Sequence, residues 1–493
     1  MLNSSGFSIF FCLNLNSMKL IFLMKVRIIF ALSCLMILTS VGSVAQTKNH
    51  YQADSDKLTA EFHKERRELL RSKMPDSSCA VIFASPERIR SADVDFVYHQ
   101  NPDFYYLSGL NEPNAMLILW KEFRLVEGVK TNEVIFVQAR DASKEKWYGK
   151  RLGTSEVIST LGFINAYPSE EFDMMDGLFN GLSKILDTGI PKGLVDDRHS
   201  KADLSDLVEA FQLKSSYPTA KHDDYLLGKL LRSMREIKTP EEIKLLQKAA
   251  DISVKAHVEM MKALKPAMTE YQVEAIGEYF FMKEGAQEPA YPSICGAAEN
   301  ACILHYQTNR RTLNVGDLIL LDMGAEYHGY AADITRTLPV NGKFSEQQSK
   351  IYQLVLTAQK AAIEACLPGN NFYDPDRVAK KILSDGLINM QVIKSPDELG
   401  RYYPHGTSHF LGLDVHDVGT HGTLKAGMLI TVEPGLYFPE GSPCDPALWN
   451  IGIRIEDDIL ITEEGFVNLS AALAKEILEI ERTMTEKSIF DQN

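Results

Sequence analysis

The amino-acid sequence predicts an α/β protein of mixed α+β type, in which a second domain built from a duplicated unit follows an N-terminal domain. Short β-type runs alternate with helical patterns from about residue 56 onward, which indicates the mixed class. After residue 236 the order of two helices, a loop and a hairpin occurs twice, which indicates the duplication. The 493 residues, 45% hydrophobic and 24% charged, are a globular composition and suffice for two or three domains.

The beginning of the chain differs from the rest in composition. Residues 1–45 contain three basic residues and no acidic one, and an apolar run over 26–44 ends in small residues before Gln46. This pattern is typical of a secretory signal peptide, which we assign to residues 1–45. Translation from Met18 or Met24 would give a leader of more usual length. An uncleaved membrane anchor is the alternative, which the short apolar run disfavours.

Charge and cysteine content limit the partners of the mature chain. Loss of the leader's basic residues brings the formal net charge from -14 to near -17, so nucleic acid is not expected as a partner. The five remaining cysteines are scattered and contain no CxxC pair, so neither a disulfide framework nor a zinc–thiolate site is expected. The predicted signal peptide leads us to expect an exported protein, periplasmic or secreted, that does not stay inserted in a membrane once the leader is cleaved.

Residues 56–235 are predicted to form an α/β domain. Its β-type runs are bounded by Pro, Asn and Gly, and they lie at Cys79–Phe83, Phe104–Leu107, Met116–Leu119 and Val134–Val137. Helical patterns lie around Leu58–Leu70 and Phe172–Leu186. Strands and helices mixed along the chain in this way predict an α/β domain.

Residues 236–485 are predicted to form the duplicated domain. Capping boxes predict helices that begin after Thr239, Thr269 and Ser345, and Asp374-Pro375 predicts a fourth. The second, third and fourth of these helices are expected to end near Gly285, Cys366 and Gly386. A loop and a strand pair follow each pair of helices.

The first strand pair carries two acids in an apolar frame. The segment ILLDMGAEYHGYAADITRTL, from Ile319 to Leu338, predicts two strands with a turn over 324–329. Asp322 lies at the end of the first strand and Asp333 lies inside the second. An apolar strand is normally buried, so two carboxylates in this hairpin need an explanation.

The second strand pair repeats this pattern. At an offset of 111 positions Asp322 falls on Glu433, and at an offset of 123 Asp333 falls on Glu456. Both acids of the first hairpin therefore have acidic counterparts in the second. A duplicated unit of this kind would bring the two hairpins together about a pseudo-twofold axis.

Four buried acids must be protonated, paired with cations or bound to metal, because an unpaired buried carboxylate is very costly. One alternative leaves two of them in water and pairs Asp333 and Glu456 with Arg336 and Arg454. Divalent metal ions explain all four acids together, since carboxylates are hard oxygen ligands that can chelate or bridge such ions. The symmetric positions favour metal binding.

Histidines before the second hairpin add nitrogen donors. The segment HGTSHFLGLDVH contains His405, His409 and His416, and its glycines disfavour a helix. His409 and His416 are an odd number of residues apart, so a bend at Gly412 is needed if both reach one pocket. His305 lies in the matching loop of the first half.

Five motifs in order, LLDMG, AADITRT, HGTSHFLGLDVHDVG, TVEPG and GIRIEDD, resemble the pita-bread metallopeptidases, and aminopeptidase P in particular. Residues 91–93, 98–106 and 109–113 extend the resemblance toward the N-terminus. It implies an N-terminal creatinase/aminopeptidase-P-like domain followed by a duplicated pita-bread domain. P-loop, HExxH, GxSxG and dinucleotide motifs are absent from the sequence.

The resemblance also implies roles for individual residues. It implies five ligands for two divalent ions, with manganese as the expected metal: Asp322, Asp333, His409, Glu433 and Glu456. By the same resemblance Asp333 and Glu456 bridge the ions. Three further residues match substrate-side or supporting positions of the family, namely His305, His416 and Arg454, and His405 matches another pocket histidine.

The activity implied is hydrolysis of the N-terminal Xaa-Pro bond of peptides by a hydroxide held between two metal ions. A prolidase, which takes only dipeptides, shares both domains and all five ligands. Methionine aminopeptidases generally lack the N-terminal domain, and creatinase-type enzymes use the frame without metal. A non-catalytic binding protein with this fold is the alternative from another class. We also expect a homo-oligomer.

Overall fold

A computed structural model describes residues 55–194, 203–216 and 220–491, so the expected signal peptide lies outside the described residues. Within these ranges no helix is long and apolar enough to cross a membrane. The cysteines at 79, 295, 302, 366 and 444 are free thiols. The residues from Leu58 onward pack as one compact unit, and the predicted division at 235/236 stays a prediction.

The N-terminal half alternates strands with short helices. Its strands are β1 (Ser78–Phe83), β2 (Ile89–Ser91), β3 (Val94–Asp95), β4 (Met116–Val126), β5 (Val129–Val137), β6 (Ala166–Pro168), β7 (Lys184–Asp187) and β8 (Lys221–Asp223). Its helices are α1 (Ala60–Lys73), α2 (Pro102–Ser108), α3 (Glu145–Tyr148), α4 (Gly153–Leu161), α5 (Leu204–Ser216) and α6 (Asp224–Arg235). A 3₁₀ helix spans Ser169–Met174.

Among the described residues, six of these strands form one mixed sheet in the order β6-β5-β4-β1-β7-β8. The central strand β1 pairs antiparallel with β4 and parallel with β7. Its side chains alternate between two cores, with Val81 packed in one cluster beside Phe211 and Ile82 in the other beside Leu70. Burial on both faces explains why β1 is a continuous apolar run.

The β-type run predicted at Phe104–Leu107 is wrong, because these residues lie in helix α2. The Asn101 side chain accepts hydrogen bonds from two amides of the first turn, and Pro102 occupies the first helical position. Gly109 ends the helix in the left-handed region, at φ 71°. These start and stop residues outweigh the β propensity of the aromatic residues between them.

The helix predicted over Phe172–Leu186 is also wrong. Only the 3₁₀ helix lies at its beginning, and strand β7 lies at its end. Between them Gly177 and Gly181 both have φ 73°. An α-helix cannot pass through this left-handed backbone, so the apolar residues pack from a loop instead.

The C-terminal half contains the two repeats. Its helices are α7 (Pro240–Ala263), α8 (Glu270–Lys283), α9 (Glu346–Glu364), α10 (Asp374–Asn389) and α11 (Ile477–Thr483). Its strands are β9 (Glu288–Pro289), β10 (Ile294–Ala297), β11 (Leu318–Asp322), β12 (Ala325–Tyr327), β13 (Tyr330–Ala331), β14 (Thr335–Pro339), β15 (Leu429–Val432), β16 (Gly435–Phe438), β17 (Ile451–Arg454), β18 (Asp457–Thr462) and β19 (Gly465–Asn468). Short 3₁₀ helices lie at Ala298–Cys302, Pro396–Arg401 and Pro446–Leu448.

The predicted capping boxes are present at the beginning of α7, α8 and α9. At α7 the Thr239 hydroxyl accepts from the Glu242 amide, and the Glu242 carboxylate accepts from the Thr239 amide. Helix α10 continues past Gly386, where an end was predicted. A Cβ on Gly386 would lie 2.3 Å from the Leu354 Cδ1 atom, so this glycine lets α10 pack closely against α9.

The two hairpins carry breaks where the acids lie. In the first, β11 pairs with β14, the strands are interrupted, and pairing resumes as β12–β13 around a turn at His328 and Gly329. A Cβ on Gly324 would lie 1.7 Å from the Ala332 carbonyl oxygen. Glycine at this position therefore lets the two interrupted strands approach closely. The second hairpin is likewise divided into β15–β18 and β16–β17.

Candidate metal centre

The first hairpin brings two carboxylates together at its break. Asp322 is the last residue of β11, and Asp333 lies between β13 and β14. The Tyr291 hydroxyl lies 2.7 Å from Asp322 Oδ1 and 2.6 Å from Asp333 Oδ1. Both acids are buried, with 8% and 5% of their surface exposed. A single phenol therefore joins two neighbouring carboxylates of one hairpin.

The second hairpin supplies the other two carboxylates. Glu433 follows β15 and its amide donates to the Thr407 carbonyl, whereas Glu456 follows β17. The Glu456 amide donates to the Thr335 carbonyl at 3.1 Å, and the Thr335 hydroxyl donates to Glu456 Oε2 at 2.6 Å. Thr335 belongs to the first hairpin, so these bonds join the acids of one repeat to the strand of the other.

One histidine is oriented toward these acids. The His409 Nδ1 atom lies 3.0 Å from the Phe410 carbonyl oxygen and donates to it, which leaves Nε2 facing the acids. That Nε2 atom lies 3.3 Å from Asp333 Oδ2 and 3.7 Å from Glu433 Oε1. Donor atoms of Asp333, His409 and Glu456 all lie within 4.8 Å of one another. A backbone contact that fixes one ring nitrogen is typical of histidines that ligate metal.

The pocket holds an excess of negative charge. Burial raises the pKa of Glu456 well above its usual range, and the charges of Asp333 and Glu433 raise it further. Burial likewise raises the pKa of Glu433, to about 7. Burial lowers the pKa of His409, but its hydrogen bond with Asp333 and the charge of Glu433 outweigh burial and raise it to about 9. These three pKa shifts all reflect ionised carboxylates that are buried close together, and a bound cation would stabilise those carboxylates.

The residues fit divalent metal ions. Four carboxylates and one imidazole are the donor set that manganese and similar hard ions prefer. Within the described residues, the guanidinium that contacts these acids is Arg454, which pairs with Asp322. This single guanidinium balances only one carboxylate, so the remaining charge favours cations in the pocket.

The ion pairs of the alternative interpretation do not form. Arg336 pairs with Asp457 at 2.7 Å rather than with Asp333. Arg454 reaches across to Asp322 rather than to Glu456. The four repeated acids therefore turn toward one cavity instead of forming two separate salt bridges.

His405 is held by both of its ring nitrogens. Its Nδ1 atom donates to the Gly406 carbonyl at 2.8 Å, and its Nε2 atom accepts from the Tyr437 hydroxyl at 2.8 Å. The Tyr437 oxygen in turn accepts from Arg454 Nη1 at 2.9 Å. Burial lowers the pKa of His405 to about 4, and the charge of Arg454 adds to this effect. This ring is a neutral, fixed part of the wall.

The other two predicted histidines line the same cavity, which has a volume of about 450 Å³. The centres of the His416 and His409 rings lie 4.3 Å apart with the ring planes at 63°. The predicted bend near Gly412 is present, since the chain reverses there and the Asp417 amide donates to the Phe410 carbonyl at 2.9 Å. His305 enters from the first repeat after the 3₁₀ helix Ala298–Cys302. The nine residues predicted for the site thus all lie at this cavity.

Three residues of the site were not predicted from the sequence. Tyr291 bridges Asp322 and Asp333, and Thr335 and Tyr437 hold Glu456 and Arg454. Thr335 lies two positions after Asp333 in the predicted second strand of the first hairpin, and this spacing places the two side chains on the same face. Tyr291 lies in a loop 31 residues before Asp322, and no local pattern indicates it.

The family matches agree with this geometry. Residues 244–463 match the model described as Metallopeptidase family M24, and residues 63–185 match Aminopeptidase P, N-terminal domain. The duplicated hairpins with their acidic cavity and the preceding α/β domain define a metallopeptidase of the pita-bread class. The matched N-terminal domain also opposes the methionine aminopeptidase alternative.

Several known proteins are similar to this one over most of their length. The Xaa-Pro aminopeptidases of Escherichia coli and Haemophilus influenzae are each 39% identical, over 85% and 87% of this chain and 96% and 98% of their own. Aminopeptidase P from E. coli with the inhibitor Pro-Leu has a TM-score of 0.78 at 37% identity, covering 87% of this chain and 98% of that chain. Proline aminopeptidase P II from Yersinia pestis has a TM-score of 0.77 at 38% identity, covering 87% and 99%.

The chain belongs to the aminopeptidase P family of the pita-bread metallopeptidases and is a metallo-aminopeptidase. The predicted family, fold class and enzyme class are confirmed. The predicted ligand and catalytic roles of single residues stay predictions, although the cavity gathers all of these residues.

Replacing Tyr291 by phenylalanine is expected to weaken Mn²⁺ binding about tenfold, because its hydroxyl holds the facing carboxylates of Asp322 and Asp333 in place. Equilibrium dialysis of metal-stripped protein against Mn²⁺ measures the affinity. Tyr306→Phe is the matched control, since its hydroxyl contacts Glu270 at 2.8 Å and none of the five candidate ligands. Equal Mn²⁺ affinity of Tyr291→Phe and wild type would contradict this role.

Proposed function

We propose that the chain releases the N-terminal residue from peptides with proline at the second position, and that it does so with two manganese ions. The observation that carries this proposal is the single cavity around which four carboxylates and His409 converge. The relatives named Xaa-Pro aminopeptidase support the substrate class. The oxygen-rich donor set supports manganese over metals that prefer thiolate ligands.

The two ions would be held by Asp322, Asp333, His409, Glu433 and Glu456. Bound there, they would lower the pKa of a shared water and so supply hydroxide at neutral pH. The chain itself fixes the direction of each donor. Thr335 orients Glu456, the Phe410 carbonyl orients His409, and the Arg454 guanidinium orients Asp322. Fixed donors reduce the reorganisation needed when substrate binds.

Other side chains of the cavity would act on the substrate. His305 and His416 line the wall and would donate ring N–H groups to the carbonyl oxygen as it gains negative charge. Glu433, between His405 and His409, would carry a proton from water to the leaving nitrogen. The leaving nitrogen needs this proton, because it departs as a neutral amine (here the secondary amine of proline) rather than as an unstable amide anion.

Chelation is expected to abolish release of the N-terminal residue from an Xaa-Pro-Yaa tripeptide, and added Mn²⁺ is expected to restore it. The physical reason is that hydroxide is scarce at neutral pH without a bound cation. The measurement is amino-acid release by metal-stripped and reloaded protein, with metal analysis of both. Unchanged hydrolysis by protein shown to be free of metal would overturn the proposal.

A peptide panel distinguishes the alternatives. A prolidase would cleave the Xaa-Pro dipeptide and not the tripeptide, whereas the proposed enzyme cleaves the tripeptide. An Xaa-Ala-Yaa peptide is the matched control for proline preference. A non-catalytic binding protein would take up metal and cleave none of the three.

We further propose that the enzyme is exported and forms a homo-oligomer. The basic, apolar and small-residue order of residues 1–45 supports export. Sequencing the N-terminus of protein recovered from cell fractions tests cleavage before Gln46 and the compartment. Light scattering of the mature protein tests the oligomer.

A further inference from the structure

A second cluster of metal-binding side chains lies outside the metallopeptidase centre. It contains His99 from the N-terminal half, Glu288 from β9 and Glu326 from β12. One donor atom of each lies within 4.8 Å of the others. The His99 Nε2 atom lies 2.9 Å from Glu326 Oε2. None of these three residues is among the five candidate ligands of the centre.

The arrangement of the two glutamates is unfavourable without a cation. Glu288 and Glu326 lie directly opposite each other in the antiparallel pairing of β9 with β12. Like charges in this position repel each other and destabilise a sheet. Glu326 is buried, with 9% of its surface exposed, so water screens its charge poorly. The sheet therefore juxtaposes two carboxylates that need positive charge.

The charged groups nearby do not remove this need. Asp414 adds a third negative charge that acts on His99, while Arg88 is a cation that acts on Glu288 less strongly than His99 does. Asp414 itself is paired with Arg235 at 2.9 Å. A single imidazole is therefore the direct partner of the opposed pair.

The position of the cluster joins two parts of the fold. Strand β12 belongs to the hairpin arm between Asp322 and Asp333, and His99 lies just before helix α2. A cavity of about 220 Å³ adjoins the cluster and is lined by His99, Glu326, Asp414 and His416. An ion at the cluster would thus hold the N-terminal half against the arm that carries two acids of the centre.

We propose that His99, Glu288 and Glu326 bind one divalent transition-metal ion, such as Zn²⁺, at a site separate from the peptidase centre. Imidazole nitrogen and carboxylate oxygen both ligate zinc, which can be held by three protein ligands and a water, and the adjoining cavity leaves room for water in the fourth position. The ion would offset the repulsion between the opposed glutamates and fix the hairpin arm. We assign the ion a structural role, because it would join the β9–β12 pair to the segment that carries His99.

Zinc content at saturation tests the site in the full mature protein. After dialysis against excess Zn²⁺, the His99→Ala variant is expected to hold one ion fewer per chain than wild type. The same difference of one ion is expected between Asp333→Ala and the double variant Asp333→Ala/His99→Ala. The second comparison makes the result independent of the metals in the peptidase centre.

A matched control is available in the same half of the protein. His222 bonds Asp187 at 2.8 Å with 44% of its side chain exposed, much as His99 bonds Glu326 with 41% exposed. The described residues around His222 offer no third ligand. His222→Ala is therefore expected to bind as much zinc as wild type.

Glu288→Gln provides a second variant that keeps the shape of the side chain, in case His99→Ala folds poorly. We expect at least about tenfold weaker zinc binding at this site for Glu288→Gln, with unchanged far-ultraviolet circular dichroism. Equal zinc content and affinity in wild type and Glu288→Gln would overturn the proposal. So would a loss of the same ion in His222→Ala.

Discussion

An Asp333→Ala variant is expected to stay folded and to lose at least about 10³-fold in kcat/KM on an Xaa-Pro tripeptide. Metal ions contribute several kcal/mol to such reactions, and each 1.36 kcal/mol corresponds to about a factor of ten. The Asp333 carboxylate contacts both Tyr291 and His409, so its loss removes the centre of the donor set. Steady-state kinetics with Mn²⁺ measure the effect, and circular dichroism with thermal unfolding checks the fold.

An acid on the same hairpin serves as the control. Asp317 lies just before β11, accepts a hydrogen bond from Arg311 at 2.6 Å and does not line the cavity. Asp317→Ala is expected to retain kcat/KM within about twofold, since its side-chain hydrogen bonds go to Arg311 and the Asn314 amide and to none of the cavity residues. Asp333→Asn keeps the size of the side chain but loses its charge, so it separates metal binding from packing. Substantial activity in either Asp333 variant would overturn the ligand assignment.

The duplication explains why the acids of the site could be predicted. A repeated sequence places equivalent residues in equivalent surroundings, so the matches of Asp322 with Glu433 and of Asp333 with Glu456 predicted one shared pocket. The glycines two positions after Asp322 and Glu433 both lie at close approaches of the backbone, since a Cβ on Gly324 would lie 1.7 Å from the Ala332 carbonyl oxygen and one on Gly435 would lie 2.9 Å from the Ile453 carbonyl oxygen. Repetition supplied the long-range information that a single hairpin lacks.

Contacts between distant, unrelated segments could not be predicted. Tyr291 reaches Asp322 from a loop 31 residues earlier in the chain, and no local pattern marks this tyrosine as part of the site. The aromatic run at Phe104–Leu107 has high β propensity but forms a helix, because the Asn101 side chain caps the first turn. Local propensity is a weak guide where a capping residue and packing decide the conformation.

The consecutive acids Glu456 and Asp457 of the second hairpin have different surroundings, which local sequence does not indicate. Glu456 faces the metal cavity, but the next residue, Asp457, turns the opposite way and is fully buried. Asp457 accepts hydrogen bonds from Arg336 at 2.7 Å, Lys475 at 2.6 Å and Gln359 at 2.8 Å. Burial raises the pKa of Asp457, but the charges of Arg336 and Lys475 outweigh burial and hold it well below its usual range. Of these two adjacent carboxylates, Glu456 therefore belongs to the metal cavity and Asp457 to an ion-pair network in the core.

Replacing Asp457 by asparagine is expected to lower the free energy of unfolding by about 3–5 kcal/mol, because the fully buried Arg336 loses its counter-ion. The stabilisation comes from a depressed pKa, so it is present above pH about 4 and lost as the pH falls below that value. Urea unfolding of metal-stripped protein at pH 7 measures the change. Glu456→Gln is the matched control and should lose no stability, since its carboxylate faces other acids. A change below about 1 kcal/mol in Asp457→Asn would contradict the prediction, since it would show that the buried Arg336 does not need this counter-ion.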